Sequence, residues 1–111
     1  MSVPLPILRG TLDLLVLKAL NWGPMHGVEI SDWLDDQGEG QLELLDSALY
    51  QALYRLEERG LIKGEWGTTD NNRRARYYTL TAAGRNHLES ERAKWLRYSA
   101  TISAILLARA R

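Results

Sequence analysis

Cysteine is absent from this sequence of 111 residues, which excludes both a disulfide framework and thiolate chemistry. Long hydrophobic runs are absent too, since no stretch approaches the roughly 18 apolar residues of a membrane-spanning helix. The N-terminus lacks the basic start and the cleavage site of a secretory signal peptide. We therefore expect a cytoplasmic protein with no membrane partner.

Net charge is also missing, because 14 basic residues balance 14 acidic ones. The two halves of the chain nevertheless differ. Residues 1–58 hold three basic and ten acidic residues, whereas residues 59–111 hold eleven basic and four acidic ones. Such asymmetry is expected of a protein that turns one face towards a polyanion, although chance segregation over a solvated surface would give the same counts.

The usual signs of an enzyme are lacking. There is no cysteine nucleophile and no glycine loop that would cradle a phosphate. His26 and His87 lie far apart in the sequence, and a metal site would need more ligands near one of them. We expect no catalytic activity, no metal and no cofactor.

The most informative part of the chain is residues 46–81, which begins with a predicted helix. Leu49, Leu53 and Leu56 recur at spacings of four and three and form one apolar face. Asp46 or Ser47 is predicted to cap its start.

A hairpin is predicted after this helix. Residues 61–66 and 75–80 are short aromatic and apolar runs, separated by turn-forming and basic residues. A helix that fits a major groove, followed by a hairpin with a basic tip, is the second half of a winged helix-turn-helix. The predicted fold class is therefore mainly α (α+β).

The N-terminal part supplies two more predicted helices. Residues 8–21 are apolar most of the way round, which requires burial on more than one side and suggests a dimer. Residues 27–36 form the second helix, with His26 as its cap. Residues 1–7 are predicted to be an arm, and residues 41–44 a short strand or extended segment.

The last helix is predicted from a Thr81 cap to about residue 108, which divides the chain into a DNA-binding unit, residues 1–81, and a dimerisation helix, residues 82–111. Its apolar residues repeat like the a and d positions of a coiled coil. Packing on its own domain is the alternative. The predicted dimer interface joins this helix to the first one: Leu8, Leu12, Leu15, Leu88, Trp95, Tyr98, Ile102 and Ile105.

Several short motifs, weak singly but specific in their order, now carry a family resemblance. They are Arg9-Gly10-Thr11-Leu12-Asp13, Gly23-Pro24-Met25-His26-Gly27, Ala48-Leu49-Tyr50, Ala52-Leu53-Tyr54-Arg55-Leu56-Glu57, Arg59-Gly60-Leu61-Ile62, Arg76-Tyr77-Tyr78 and Leu80-Thr81-Ala82-Ala83-Gly84. The sequence resembles the PadR family of bacterial transcriptional regulators. The resemblance implies a homodimer, a palindromic double-stranded DNA operator, and repression relieved by a small molecule.

Three positions depart from the family pattern. Gln51 replaces a usual proline, Ala48 a usual serine, and Val28 a frequent aromatic residue. The first two lie on the surface expected to face DNA, so this protein's own operator preference is expected there.

The exposed side of the recognition helix is predicted to contact DNA. Gln51 and Arg55 are the candidate base readers, because glutamine pairs with adenine and arginine with guanine through two hydrogen bonds each. Ser47 and Tyr50 can donate to phosphates. Tyr54 either contacts DNA or packs on the hairpin.

Three arginines in the hairpin, Arg73, Arg74 and Arg76, are predicted to contact phosphates or the minor groove. Arg76 has an alternative, an ion pair across the strands with Glu65. A winged-helix module that binds proteins and has no operator is the alternative function for the whole chain.

Trp95 has two possible roles. A tryptophan in a dimer interface is most often an anchor. The family resemblance implies a second role, because in multidrug-responsive relatives an aromatic residue at a similar place stacks flat ligands. A small aromatic effector is therefore a candidate partner. Trp22, Trp33 and Trp66 are predicted to be core or hinge residues.

Overall fold

The computed structural model describes residues 3–110, so residues 1 and 2 of the predicted arm and residue 111 lie outside the described residues. Within that range the chain forms four helices and five strands. In order they are β1 (Leu5–Pro6), α1 (Thr11–Leu20), β2 (Met25–His26), α2 (Gly27–Gln37), β3 (Leu42–Glu43), α3 (Asp46–Glu58), β4 (Ile62–Thr68), β5 (Arg74–Leu80) and α4 (Ala82–Leu106). The predicted α+β class, with helices predominating, is confirmed.

Strands β4 and β5 form the predicted hairpin, which we call the wing. They pair antiparallel over their whole length, from Ile62 opposite Leu80 to Thr68 opposite Arg74. β2 adds a third, antiparallel strand beside β5. The tip of the wing is held by its own backbone, since Thr69 N donates to Arg73 O at 2.8 Å.

The core lies where α1, α2 and α3 meet the base of the wing. Leucines dominate it, including Leu17 of α1 and the predicted α3 stripe of Leu49, Leu53 and Leu56, all nearly inaccessible. α1 begins at Thr11 and not at Leu8, because Gly10 takes a left-handed conformation with φ of 89° just before the first turn. Leu8 therefore lies outside the helix and is 65% exposed.

Part of the predicted N-terminal arm is a strand. β1 pairs in parallel with β3, and Leu5 N donates to Gln41 O at 2.8 Å. The expected strand at residues 41–44 is thus present as β3. Its partner could not be identified from the sequence, because a two-residue strand has no detectable alternation.

Two of the predicted helix caps are confirmed. The His26 side chain accepts from Glu29 N and Glu29 bonds back to His26 N, while the Thr81 hydroxyl accepts from Gly84 N at 3.0 Å. The predicted cap of α3 is wrong. Leu45 occupies that position with an extended backbone, and Asp46 lies in the first turn, where its charge complements the helix dipole.

α4 has two different halves. Its first turns pack on the core through Gly84 and Leu88, which is only 1% exposed. Its second half projects outward and gives the molecule a long dimension of 62 Å, against 36 and 21 Å for the others. Two residues of the predicted dimer interface, Leu88 of α4 and Leu12 of α1, are thus buried in their own chain. They offer little surface to a partner. No helix within residues 3–110 combines the length and apolarity needed to cross a membrane.

Candidate nucleic-acid interface

The exposed face of α3 is the first part of the candidate interface. The 3.6-residue period that buries Leu49, Leu53 and Leu56 turns the opposite side of the helix to solvent. The predicted DNA contacts on this helix are all exposed: Ser47, Tyr50, Gln51, Tyr54 and Arg55. Tyr54 in particular is 68% exposed.

The wing supplies the second part. Successive residues of a strand point to opposite faces, so the cross-strand pairs Trp66–Arg76 and Thr68–Arg74 share one face. That face is turned towards α3, because Arg76 Nη2 donates to Glu57 Oε2 of α3 at 2.5 Å. Basic side chains of the wing and the exposed side of α3 are thereby brought to one side of the molecule.

A cleft of about 620 Å³ lies between the wing and the starts of α2 and α3. Its lining includes Val28, Tyr50, Trp66, Arg73, Arg74 and Arg76. The arrangement is a cationic and aromatic concavity next to an exposed helix, which suits the backbone of a nucleic acid.

Arg76 is fixed by α3 and not by the neighbouring strand. Hydrogen bonding to Glu57 raises the pKa of Arg76 above its ordinary value, so the guanidinium stays charged. The predicted alternative pair with Glu65 is wrong, because Glu65 lies opposite Tyr77 and bonds Lys63 at 3.3 Å. Within residues 3–110, Arg73 and Arg74 have no carboxylate partner.

Arg55 is also engaged within the chain. Its Nη2 donates to Asp13 Oδ1 of α1 at 2.7 Å, while half of the side chain remains exposed. The hydrogen bond raises the pKa of Arg55. Arg55 would have to leave Asp13 to offer both donors to guanine, so Gln51 is the less encumbered candidate base reader.

Tyr50 is positioned by a glycine. A Cβ at Gly27 would lie 2.5 Å from Tyr50 Oη, so the absence of a side chain there lets the phenol lie against the first turn of α2. Tyr78 lies behind it in the wing. Burial raises the pKa of Tyr78, and the nearby Arg76 opposes that rise. The Tyr50 side chain is thus held at the cleft by its contact with Gly27.

Two of the tryptophans that were predicted to be core or hinge residues are exposed. Trp22 is 66% exposed and Trp66 is 59% exposed, so neither is a core residue. Trp66 instead carries the guanidinium of Arg74, whose Cζ lies 4.6 Å from the ring centre. Trp66, Glu57 and Asp13 were missed as parts of this surface. Only for Trp66 did the sequence hold a signal: the alternation of strand residues places it on the same face of the wing as Arg76.

Trp95 lies on a separate groove between α1 and α4. This groove has a volume of about 740 Å³, and its lining includes Leu8, Asp13, Leu14, Glu91, Trp95 and Tyr98. The ring centres of Trp95 and Tyr98 are 6.2 Å apart. The described residues contain no cluster of histidine and carboxylate groups that could hold a metal.

A three-helix core, an exposed third helix and a basic wing beside it define a winged helix-turn-helix DNA-binding protein. The sequence pattern of the transcriptional regulator PadR-like family matches residues 16–90. The chain belongs to this family, whose members are DNA-binding transcriptional regulators and not enzymes.

Solved structures support the same assignment. The structure of a protein of Streptococcus mutans is 27% identical in sequence and has a TM-score of 0.81. The match covers 100% of this chain and 98% of the Streptococcus mutans chain. A PadR family transcriptional regulator from Eggerthella lenta is 30% identical with a TM-score of 0.76, covering 91% and 86%. Sequence comparison adds an uncharacterised protein of Lysinibacillus sphaericus, which is 26% identical over 89 residues. These residues are 80% of this chain and 82% of that protein.

Proposed function

We propose that this regulator is a homodimeric repressor that binds a palindromic operator. α3 lies in the major groove, where Gln51 reads a base and Ser47 and Tyr50 donate to phosphates. Arg73 and Arg74 of the wing contact the flanking backbone. The observation that carries this proposal is that Tyr50, on the exposed side of α3, lines the same cleft as Arg73 and Arg74, which have no carboxylate partner within residues 3–110.

The second half of α4 supports the homodimer. It exposes several large apolar side chains, which a small monomeric protein seldom leaves in water. They are Leu96, Tyr98, Ile102, Ile105 and Leu106, and Leu107 directly after the helix is exposed too. We assign residues 82–111 to dimerisation and residues 1–81 to DNA binding. Leu8 and Leu15 extend the interface on the N-terminal side.

A two-fold dimer accounts for a palindromic site. Each recognition helix then meets one half-site, and the half-sites are about 34–36 Å apart on one side of the duplex. A single α3 offers too few base contacts to specify an operator by itself. Repression follows where the operator overlaps a promoter.

A planar aromatic effector is the proposed inducer. The α1–α4 groove places Trp95 and Tyr98 together beside the surface assigned to dimerisation. A flat ligand that stacks on Trp95 would change how the two α4 helices pack. That change would be transmitted to the spacing of the recognition helices.

The direct test is binding to DNA from the chain's own upstream region, compared with unrelated DNA of the same length. At about 100 mM salt we expect a dissociation constant of 10⁻⁸ M or tighter for the specific fragment, with at least a thousandfold preference. Gln51→Ala should reduce the preference by about 1–3 kcal/mol. Gln37→Ala, an exposed glutamine of α2, is the matched control. Equal affinity for both DNAs would refute an upstream operator.

A further inference from the structure

Trp66 is a large aromatic side chain that the core does not use. It is 59% exposed although it lies in the middle of a seven-residue strand. An indole in that position exposes apolar surface to water, and its ring lies within cation–π range of two arginines. The role of the side chain is therefore to be sought on the surface of the wing.

Two guanidinium groups share its ring. Arg74 Cζ lies 4.6 Å from the indole centre and Arg76 Cζ lies 5.7 Å from it, both within cation–π range. The register explains the geometry, because Arg76 is directly opposite Trp66 and Arg74 is two residues further towards the tip.

The two arginines are held differently. Arg76 is fixed by Glu57, and its side chain crosses the backbone at Gly64, where a Cβ would be 2.5 Å from Nε. Arg74 has no carboxylate partner within residues 3–110, so the indole is its main restraint. A long free arginine would lose rotamer freedom on binding a phosphate. Stacking on Trp66 removes part of that freedom before DNA arrives.

We propose that Trp66 is a positioning residue of the wing, which holds the guanidinium of Arg74 extended over its ring for contact with a DNA phosphate. This proposal rests on the DNA-binding role given above for the wing. Trp66 acts through Arg74 and does not itself read a base. The conservative replacement Trp66→Tyr keeps a π face and should preserve the arrangement.

The test measures the affinity of the full-length protein for its upstream DNA fragment between 50 and 300 mM salt, a range in which counterion release dominates the slope. Arg74→Ala should weaken binding about tenfold and lower the salt slope by about one. Trp66→Ala should weaken binding about threefold to fivefold, as expected for an exposed cation–π contact, and should also lower the slope. Trp66→Tyr should bind within about twofold of the unsubstituted protein.

The double variant Trp66→Ala with Arg74→Ala decides between positioning and direct contact. Positioning predicts that it binds no more weakly than Arg74→Ala alone, because both changes remove the same contact. Trp22→Ala is the matched control: Trp22 is equally exposed and lies under Lys18 at 5.2 Å, but far from the wing in sequence, and it should bind normally. Each variant should keep its thermal unfolding midpoint.

Two results would overturn the proposal. One is an unchanged affinity for Trp66→Ala in a protein that is sensitive to Arg74→Ala. The other is a double variant whose losses multiply, which would show that the indole meets DNA independently of Arg74. If the unsubstituted protein shows no preference for its upstream DNA, it is the proposed operator that fails, which is a different outcome from either of these.

Discussion

Arg55 on the recognition helix and Asp13 on α1 form an ion pair across forty-two residues of sequence, with Nη2 and Oδ1 2.7 Å apart. Asp13 is the better covered partner, and Arg55 remains half exposed. The pair ties the DNA-facing side of α3 to the helix that leads towards the proposed dimer interface. Arg55, which is predicted to pair with guanine, is thus already bound to Asp13 in its own chain.

Asp13→Asn should separate the two roles of Arg55. We expect the free energy of unfolding to fall by no more than about 1 kcal/mol, since the pair is partly solvated, while affinity for the operator rises because Arg55 is released. Urea unfolding and operator binding measure the two effects. Glu58→Gln, which removes an exposed acid from α3, the helix of Arg55, controls for the change in charge. Equal gains for both variants would show that the ion pair does not restrain Arg55.

Gly84→Ala should destabilise the protein strongly. A Cβ at this position would lie 1.9 Å from Leu61 O, a backbone atom that cannot move aside as the end of a side chain can. Overpacking of this kind costs about 1–3 kcal/mol or more. Urea unfolding is the measurement, and Ala83→Ser, one residue earlier on the exposed side, should change stability by less than about 0.5 kcal/mol. Comparable unfolding midpoints for the two variants would contradict the close contact.

Glutamate in place of Ile102 and Ile105 should break the proposed homodimer. The two side chains are exposed in the single chain, so the double variant should remain folded while losing its self-association. Light scattering should then give the 12.6 kDa mass of one chain and not twice that mass. Ala104→Glu adds the same charge to another side of the helix and should leave the dimer intact. A dimeric double variant would place the interface elsewhere.

Trp95→Ala should abolish binding of planar aromatic ligands. The groove beside α1 offers the paired rings of Trp95 and Tyr98, and stacking on the indole should supply most of the affinity. Calorimetry is preferable to fluorescence here, because the chain has four tryptophans. Trp22→Ala serves as the control and should bind normally. A panel of flat ligands that bind the two variants alike would exclude Trp95 as the platform.

The sequence was most informative where one side chain's environment depends on its near neighbours. The leucine period of α3 predicted which side of that helix is exposed, and the hydroxyl of Thr81 predicted where α4 starts. Periodicity could not show that Leu88 belongs to the core, because a residue at a coiled-coil position and one under a domain satisfy the same spacing. The choice depends on how far α4 projects.

Contacts between distant segments were the least predictable part of the site. Nothing in the sequence around Arg55 indicates Asp13, because their meeting depends on the crossing of α1 and α3. Trp66 was predicted to be a core or hinge residue, yet its strand face is set by the register with β5, which brings two arginines to the ring. In both cases the partners of the side chain are supplied by tertiary structure.

The start of α4 at Thr81 is attached to the turn that follows α3. Thr81 N donates to Leu61 O at 3.1 Å and its hydroxyl donates to Gly60 O at 2.7 Å, so the helix starts on the same turn that ends α3. With 25 residues α4 is roughly 37 Å long at 1.5 Å per residue. A tilt of about 10° at this hinge would displace its far end by roughly 6 Å, given that length. Under the proposed function, a small displacement at the far end of α4 would therefore change, through one turn of backbone, the orientation of α3, the proposed recognition helix.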